Sequence, residues 1–356
     1  MAHTQYLPSY TIGEDAYDSV PGIVGPARAV IIGGKTALSV GARPLELACD
    51  GSPTKILGTL WYGPETSYES VAVLADNDMV KQADVLFAMG GGKALDTVKA
   101  LSKAVDKPVY TFPTIASNCA AVSAIAIMYN EDGTYRDHCR LGHPCAHCFV
   151  NSRIIAEAPR QYFWAGIGDT LAKYYEVSFS MRGDQPSFEP VLGVHIAAMC
   201  ADPIVDYGAE ALADADAHRI TPVFELVAAT ILVGTGLVSG LVGGLYNTAL
   251  AHAIYYGLCE DPSLEENHLH GEVVAYGLLV QLVMDGQQEL VRDCLPFYRK
   301  LELPTRLSDL DIAYDGEHFG RCLVAIETNS EIEHVPYKIT GQMIVDAMHE
   351  LDDMQS

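Results

Sequence analysis

The chain has 356 residues, 49% of them hydrophobic and 19% charged, which suits about two domains with real cores and excludes a disordered chain. Acidic residues outnumber basic ones by 46 to 22, a net charge of −24, and a field of that sign argues against nucleic acid as a partner. Nine scattered cysteines make no disulfide framework, and the first 22 residues carry neither a basic n-region nor an apolar h-region, so a cytoplasmic protein in a reducing compartment is expected.

Short β-favouring runs stand at Ala29–Ile32 (AVII), before Gly33-Gly34, at Asp84–Met89 (DVLFAM), before Gly90-Gly91-Gly92, and at Val109–Phe112 (VYTF), before Pro113. Each precedes a turn signal or a helical pattern, and that alternation predicts a parallel sheet with crossover helices. Cys148–Val150 reads as a last strand. After Pro159 helical patterns dominate, at Asp169–Phe179, Val191–Ala201, Phe224–Gly234, Thr248–Leu258 and Val273–Val283. The expected division is an α/β domain over residues 1–158 and an all-helical domain over 159–356. Leu226–Cys259 contains no Asp, Glu, Lys or Arg and is long enough to span a bilayer. Its six glycines, Asn247, His252 and the Gly243-Gly244 break favour two buried core helices, so no membrane span is expected.

The sharpest local signal is AMGGGKALDTVKAL, Ala88–Leu101, where a strand ends in three glycines and a helix begins at Lys93 or Ala94. Glycine lets a backbone approach a ligand, and free N–H groups at a helix start attract anions. A diphosphate bridge fits there, as does a plain tight turn. Ala94 stands where a Walker A loop needs Ser or Thr for magnesium, which excludes that loop. Pro113–Gly133 (PTIASNCAAVSAIAIMYNEDG) is rich in small and hydroxyl residues just after a strand. Such residues leave room for a ring, or simply pack near the carboxyl edge of the sheet.

In the helical half, Asp169 opens a helix in GIGDTLAKYYE, His252 sits in the apolar LAHAIYYGL, and His268 and His270 lie in NHLHGEVVAYG. Singly, an Asp at a helix start is a cap and a His in a core helix a satisfied polar residue. Together, one carboxylate and two imidazoles on separate helices are a set that binds a catalytic Zn2+ or Fe2+ with open positions. Spacing alone leaves both readings open. His138–Cys148 (HCRLGHPCAHC) contains Cys145-x-x-Cys148 with His143 and His147. It is either a structural zinc site or a loop and strand with incidental Cys and His.

Taken together and in this order, GGGKALDTVKA, PTIAS, IMYNEDG, IIAEAPRQYFWAGIGDTLAKYYE, AHAIYYGL and HLHGEVVAYG resemble the glycerol dehydrogenase branch of the iron-containing alcohol dehydrogenase superfamily, over nearly the whole chain. The resemblance implies an α/β Rossmann-like N-terminal domain and an all-helical C-terminal domain, the dehydroquinate synthase-like fold, with a cleft between them. It implies metal ligands at Asp169, His252 and His270, and cofactor phosphates at Gly91, Gly92 and Lys93. Further cofactor contacts would fall at Asp96, Thr114, Ser117, Ser123, Ile125 and Tyr129. Of the two histidines in the final motif, His270 directly precedes the Gly-Glu that marks the ligand.

Two departures from that branch each remove a negative charge near a ligand. Cys119 stands where glycerol dehydrogenases carry an Asp that helps hold the polyol, and Gly34, followed by Lys35, stands where they carry an Asp for the adenosine ribose. NADP(H) is therefore expected to be favoured over NAD(H). The chain looks closer to a 2-hydroxycarboxylate dehydrogenase subgroup that shares GIGDTLAK and the cysteine. Lys173 lies four residues after Asp169, on the same helix face. It either pairs with Asp169 or Glu176, or offers its charge to a substrate carboxylate.

The expected activity is hydride transfer between the nicotinamide cofactor and a small alcohol or carbonyl on Zn2+ or Fe2+, with a 2-oxo acid and its 2-hydroxy acid as the substrate pair. A polyol dehydrogenase is the alternative. A dehydroquinate synthase-type lyase and a silent metabolite-binding protein are more distant ones. A homo-oligomer acting on a small molecule is expected.

Overall fold

The computed structural model describes residues 4–185, 187–314 and 316–355. The chain forms two compact units, Met1–Arg160 with Ala213–Gly240, and Gln161–Leu212 with Leu241–Ser356. The first is built on strands β1 (Tyr10–Gly13), β2 (Ala27–Gly33), β3 (Thr54–Trp61), β4 (Val85–Gly90), β5 (Val109–Pro113) and β8 (His147–Asn151). They lie in the order β1-β8-β5-β4-β2-β3, with every neighbouring pair parallel. β6 (Ile125–Tyr129) and β7 (Tyr135–Arg140) form a separate antiparallel hairpin.

Every residue of β4 is buried, as a parallel strand covered on both faces requires, and this is why it reads as a continuous apolar run. On one face Phe112 packs against Phe87 and Phe149, with ring centroids 4.9 and 5.1 Å apart, and against Tyr17 at 5.4 Å. Each such ring stabilises the unit by about 1.5–3 kcal/mol through the area it removes from water. β3 lies at the sheet edge, mostly half-buried or exposed, and carries Lys55 and Gly58. It has no clean periodicity and escapes the sequence reading.

The order of the sheet reverses between β2 and β4, because the chain passes from β2 outward to β3 and from β4 the other way to β5. The crevice at the carboxyl ends beside such a reversal is where open α/β sheets take ligands. Gly34 follows β2 there as the N-cap of helix α1 (Lys35–Cys49), and Gly91 follows β4 as the N-cap of helix α2 (Gly92–Val105).

The chain divides near Pro159, but Ala213–Gly240 returns to the first unit instead of remaining with the later helices. Contacts explain the return. Ser152 donates to Glu225 at 2.6 Å, and a Cβ on Gly236 would lie 2.2 Å from Val122. An apolar helix looks alike in sequence whichever unit buries it.

By length and composition, Phe188–Asp216 and Pro222–Tyr246 are apolar enough to cross a membrane. The first is broken into Phe188–Ala197, Ala198–Cys200 and Asp202–Asp216. The second is largely buried and turns non-helical at Gly243, where φ is 68°.

In the second unit the central elements are helices α3 (Arg160–Ser180), α4 (Leu250–Leu258) and α5 (His270–Met284). Asp169 therefore does not open a helix. α3 begins nine residues earlier than the sequence reading placed it, and Asp169 is a buried mid-helix carboxylate that cannot serve as an N-cap.

Candidate active site

Two glycines bring α3 and α5 together. A Cβ on Gly168 would lie 2.5 Å from the carbonyl oxygen of Gly271, and a Cβ on Gly271 would lie 2.0 Å from that of Ala165. Backbone meets backbone there, and the side chains next to the two glycines are forced into proximity. Asp169 Oδ1 lies 3.2 Å from His270 Nε2 and 3.6 Å from His252 Nε2. One donor atom from each of the three lies within 4.8 Å of the others, the one such group of three found among the described residues.

The donor set fits a single divalent ion. Two imidazole nitrogens and a carboxylate suit Zn2+ or Fe2+. Tetrahedral ligands at bonds of about 2.1 Å stand about 3.4 Å apart, which the Asp169 distances bracket. The electrostatics agree with the geometry. Burial alone would push the Asp169 carboxyl up, but His270 and His252 beside it outweigh this and hold it below its ordinary value. Burial pushes His252 down, and Glu176 and Asp169 outweigh that and raise it. The Asp169 shift reports the imidazoles beside it, and the His252 shift reports the two carboxylates, Glu176 and Asp169, that face it.

His268 takes no part. Its Nδ1 meets Glu272 at 2.9 Å and its Nε2 meets Asp311 at 3.3 Å. The ring of His270 instead packs edge-on against Tyr255, with centroids 4.3 Å apart. Lys173 forms its hydrogen bonds with neither Asp169 nor Glu176. Its ammonium donates to the carbonyl oxygen and the side-chain oxygen of Asn247, at 2.9 and 3.2 Å.

In the first unit, Gly90 ends β4 with a φ of 149°, and a Cβ there would lie 2.8 Å from that of Ala94. The position requires glycine. The N–H groups of Gly92, Lys93 and Ala94 precede the first main-chain bond of α2, from Leu95 to Gly91, and such groups suit an anion. Lys93 is already engaged, with its Nζ 2.6 Å from Glu65 and 5.0 Å from the centroid of the Tyr129 ring. The main chain of Gly91 and Gly92 is thus the part of the motif best suited to a diphosphate.

Thr114 is buried, and its N–H donates to Gly90. Ser117 lies half-buried in the loop that follows. Asp96 is turned inward. It pairs with Lys99 at 2.7 Å and accepts from the Ile127 N–H at 3.0 Å. Lys99 also donates to Ser123 at 3.0 Å and to the Ile125 carbonyl. Asp96, Ser123 and Ile125 thus act here as a clamp that ties α2 to the loop and hairpin. Cys119 is half-buried in that loop, and its carbonyl accepts from Val122 and Ser123. Gly34 is an open N-cap, where a Cβ would meet nothing closer than 3.9 Å, and the ammonium of exposed Lys35 sits 4.3 Å from the centroid of the Trp61 ring.

The Cys and His residues of 138–148 do not converge as a group of three. Cys145 is buried against Thr111 and the Ala121 carbonyl, Cys148 lies in β8, and His147 bonds Ser9 and Thr11 at 2.7 and 2.9 Å. Sequence reasoning missed Glu65 altogether, took Asn247 only as a polar break in an apolar stretch, and noticed Glu176 only as a partner for Lys173. The available signal for Glu176 was its spacing, seven residues after Asp169 and hence on the same face of α3.

Comparison with known proteins agrees with this architecture. The iron-containing alcohol dehydrogenase family model matches residues 8–148. Hydroxycarboxylate dehydrogenase A of Escherichia coli is 30% identical over 335 residues, 93% of this chain and 91% of the relative. Glycerol dehydrogenase of Thermotoga maritima is 32% identical over 302 residues, 82% of this chain and 80% of the relative. The crystal structure of a probable glycerol dehydrogenase from Sinorhizobium meliloti superposes with a TM-score of 0.85 at 27% identity, covering 99% of both chains.

Proposed function

The chain belongs to the iron-containing alcohol dehydrogenase family, and on that premise we propose that it moves a hydride between NADP(H), favoured over NAD(H), and a small 2-oxo acid or its 2-hydroxy acid. The observation that carries the oxidoreductase reading is the convergence of Asp169, His252 and His270 on one point. We assign them as the ligands of one Zn2+ or Fe2+. When bound, that ion supplies Lewis acidity to the substrate oxygen. Asp169 brings the negative charge that holds the ion, and His252 and His270 bring neutral nitrogens that leave coordination positions open to substrate. The open N-terminus of α2 receives the diphosphate of the cofactor through main-chain N–H groups.

The choice of a 2-oxo acid rests on charge. Cys119 presents no ionised carboxylate to an anionic substrate, and the Lys173 ammonium, bonded to neutral oxygens of Asn247, stands one helical turn from Asp169. The name of the Escherichia coli relative points the same way. The second reading, a glycerol dehydrogenase, is favoured by the names of the Thermotoga maritima and Sinorhizobium meliloti relatives. The experiment that separates them is kcat/KM for 2-oxo acids against glycerol and dihydroxyacetone with both cofactors. Higher values for 2-oxo acids support the proposal, and a preference for glycerol returns the chain to the polyol dehydrogenases.

The cofactor choice rests on Gly34 and Lys35. An acid at the end of β2 would repel a 2′-phosphate, whereas exposed Lys35 at the start of α1 adds attraction. We also propose a homo-oligomer, with solution mass as the test.

A further inference from the structure

Helix α4 starts without a cap of its own. Its N-cap is Ala249, whose side chain accepts nothing, yet the first turn is buried. An α-helix start leaves its first N–H groups unpaired, and burying them so is costly. Here two side chains from other helices accept them. Glu176 Oε1, on α3, takes the N–H groups of Ala249 at 2.8 Å and His252 at 3.0 Å. Gln281 Oε1, on α5, takes those of Leu250 at 3.1 Å and Ala251 at 3.3 Å. The other oxygen of Glu176, Oε2, lies 2.6 Å from His252 Nδ1. Glu176 has no exposed surface at all.

We propose that Glu176 is the positioning residue of His252, fixing through one carboxylate both the main chain and the tautomer of that imidazole. An ionised carboxylate only accepts, so the Nδ1 beside it carries the proton. Nε2 is then the nitrogen left for the ion, on the side that faces Asp169. The positive end of α4 and the donated N–H groups favour the carboxylate where it stands. His252 is thereby set as a donor before any ion arrives. Glu176 and Asp169 lie seven residues apart on α3, so a single rigid helix delivers a ligand and the group that aims its partner. The inference rests on the metal-site reading above.

The test is Glu176→Gln. The amide oxygen can still accept the N–H groups of Ala249 and His252, which preserves the helix start. The amide nitrogen then faces Nδ1 as a donor, which selects the tautomer with its proton on Nε2 and blocks coordination. Zn2+ affinity, measured by competition with a chromophoric chelator, is expected to fall roughly 10–100-fold. The thermal midpoint of the metal-free variant should stay close to that of metal-free wild type. Unchanged Zn2+ affinity in the variant would overturn the proposal and leave the metal site standing, whereas wild type that takes up no Zn2+ would overturn the metal site itself. A readout that needs no variant is 15N NMR of imidazole-labelled, metal-free wild type. Observed at a pH where the ring is neutral, His252 is expected as the Nδ1–H tautomer, and the Nε2–H tautomer would refute the proposal.

Discussion

Lys173 gives its ammonium to Asn247, donating to the main-chain and side-chain oxygens of that one residue at 2.9 and 3.2 Å. Both acceptors are neutral, and the ammonium sits on the helix that carries Asp169 and Glu176, whose carboxyls it helps to hold down. Replacing it with Met keeps the stem and removes the charge. If Lys173 recognises a carboxylate, kcat/KM should fall more on 2-oxo acids than on neutral aldehydes, by roughly 10-fold or more for a charge-assisted hydrogen bond of about 1.5–3 kcal/mol. Steady-state kinetics on the two substrate classes make the comparison. Equal losses would make Lys173 a structural partner of Asn247 only.

The second prediction concerns the cofactor. A side chain at Gly34 meets nothing closer than 3.9 Å, and its φ of −68° is open to any residue. Gly34→Asp should therefore fold normally. Its carboxylate would repel a 2′-phosphate and hold a ribose diol, so the ratio of kcat/KM for NADP(H) to that for NAD(H) should fall by at least about 10-fold. A ratio unchanged by the substitution would place the adenosine away from Gly34 and Lys35.

The third concerns the helix contact behind the site. Gly271→Ala would place a Cβ 2.0 Å from the Ala165 oxygen and 3.0 Å from Asp169 Cβ, overpacking that costs about 1–3 kcal/mol or more. Thermal unfolding should show a lower midpoint, and Zn2+ affinity should fall with it as Asp169 and His270 are pushed apart. Gly320→Ala is the matched control. No atom lies within 4 Å of its Cβ, and an alanine there should be neutral or stabilise by about 0.4–1 kcal/mol. Similar midpoints for the two variants would contradict the close approach of α3 and α5.

Much of this was legible in the amino-acid order, for reasons visible in the fold. β2 and β4 are buried on both faces, so they read as unbroken apolar runs, and the glycines after β4 mark a main chain that must turn sharply at Gly90. Asp169, His252 and His270 stand out in the sequence as a candidate donor set, and the fold brings their donor atoms together. What stayed hidden is tertiary. α3 is buried around most of its circumference, from Phe163 through Thr170 and beyond, so no polar stripe marks its true start at Arg160. The return of Ala213–Gly240 to the first unit, the embrace of Lys173 by Asn247 and the capping of α4 by Glu176 all join residues tens of positions apart, and no local pattern encodes them. The inward turn of Asp96 belongs to the same class, since Lys99 and the Ile127 N–H claim it only once β6 is in place.

The central claim is that Asp169, His252 and His270 hold one divalent ion on which turnover depends. The measurement that bears on it most directly is nicotinamide absorbance during turnover of a 2-oxo acid by metal-stripped protein, titrated with Zn2+ or Fe2+, in wild type and in His252→Ala. The account predicts no turnover in stripped wild type, full recovery at about one ion per chain, and no recovery in His252→Ala, with its fold intact by circular dichroism. Undiminished turnover in stripped wild type, or metal-restored turnover in His252→Ala, would contradict it.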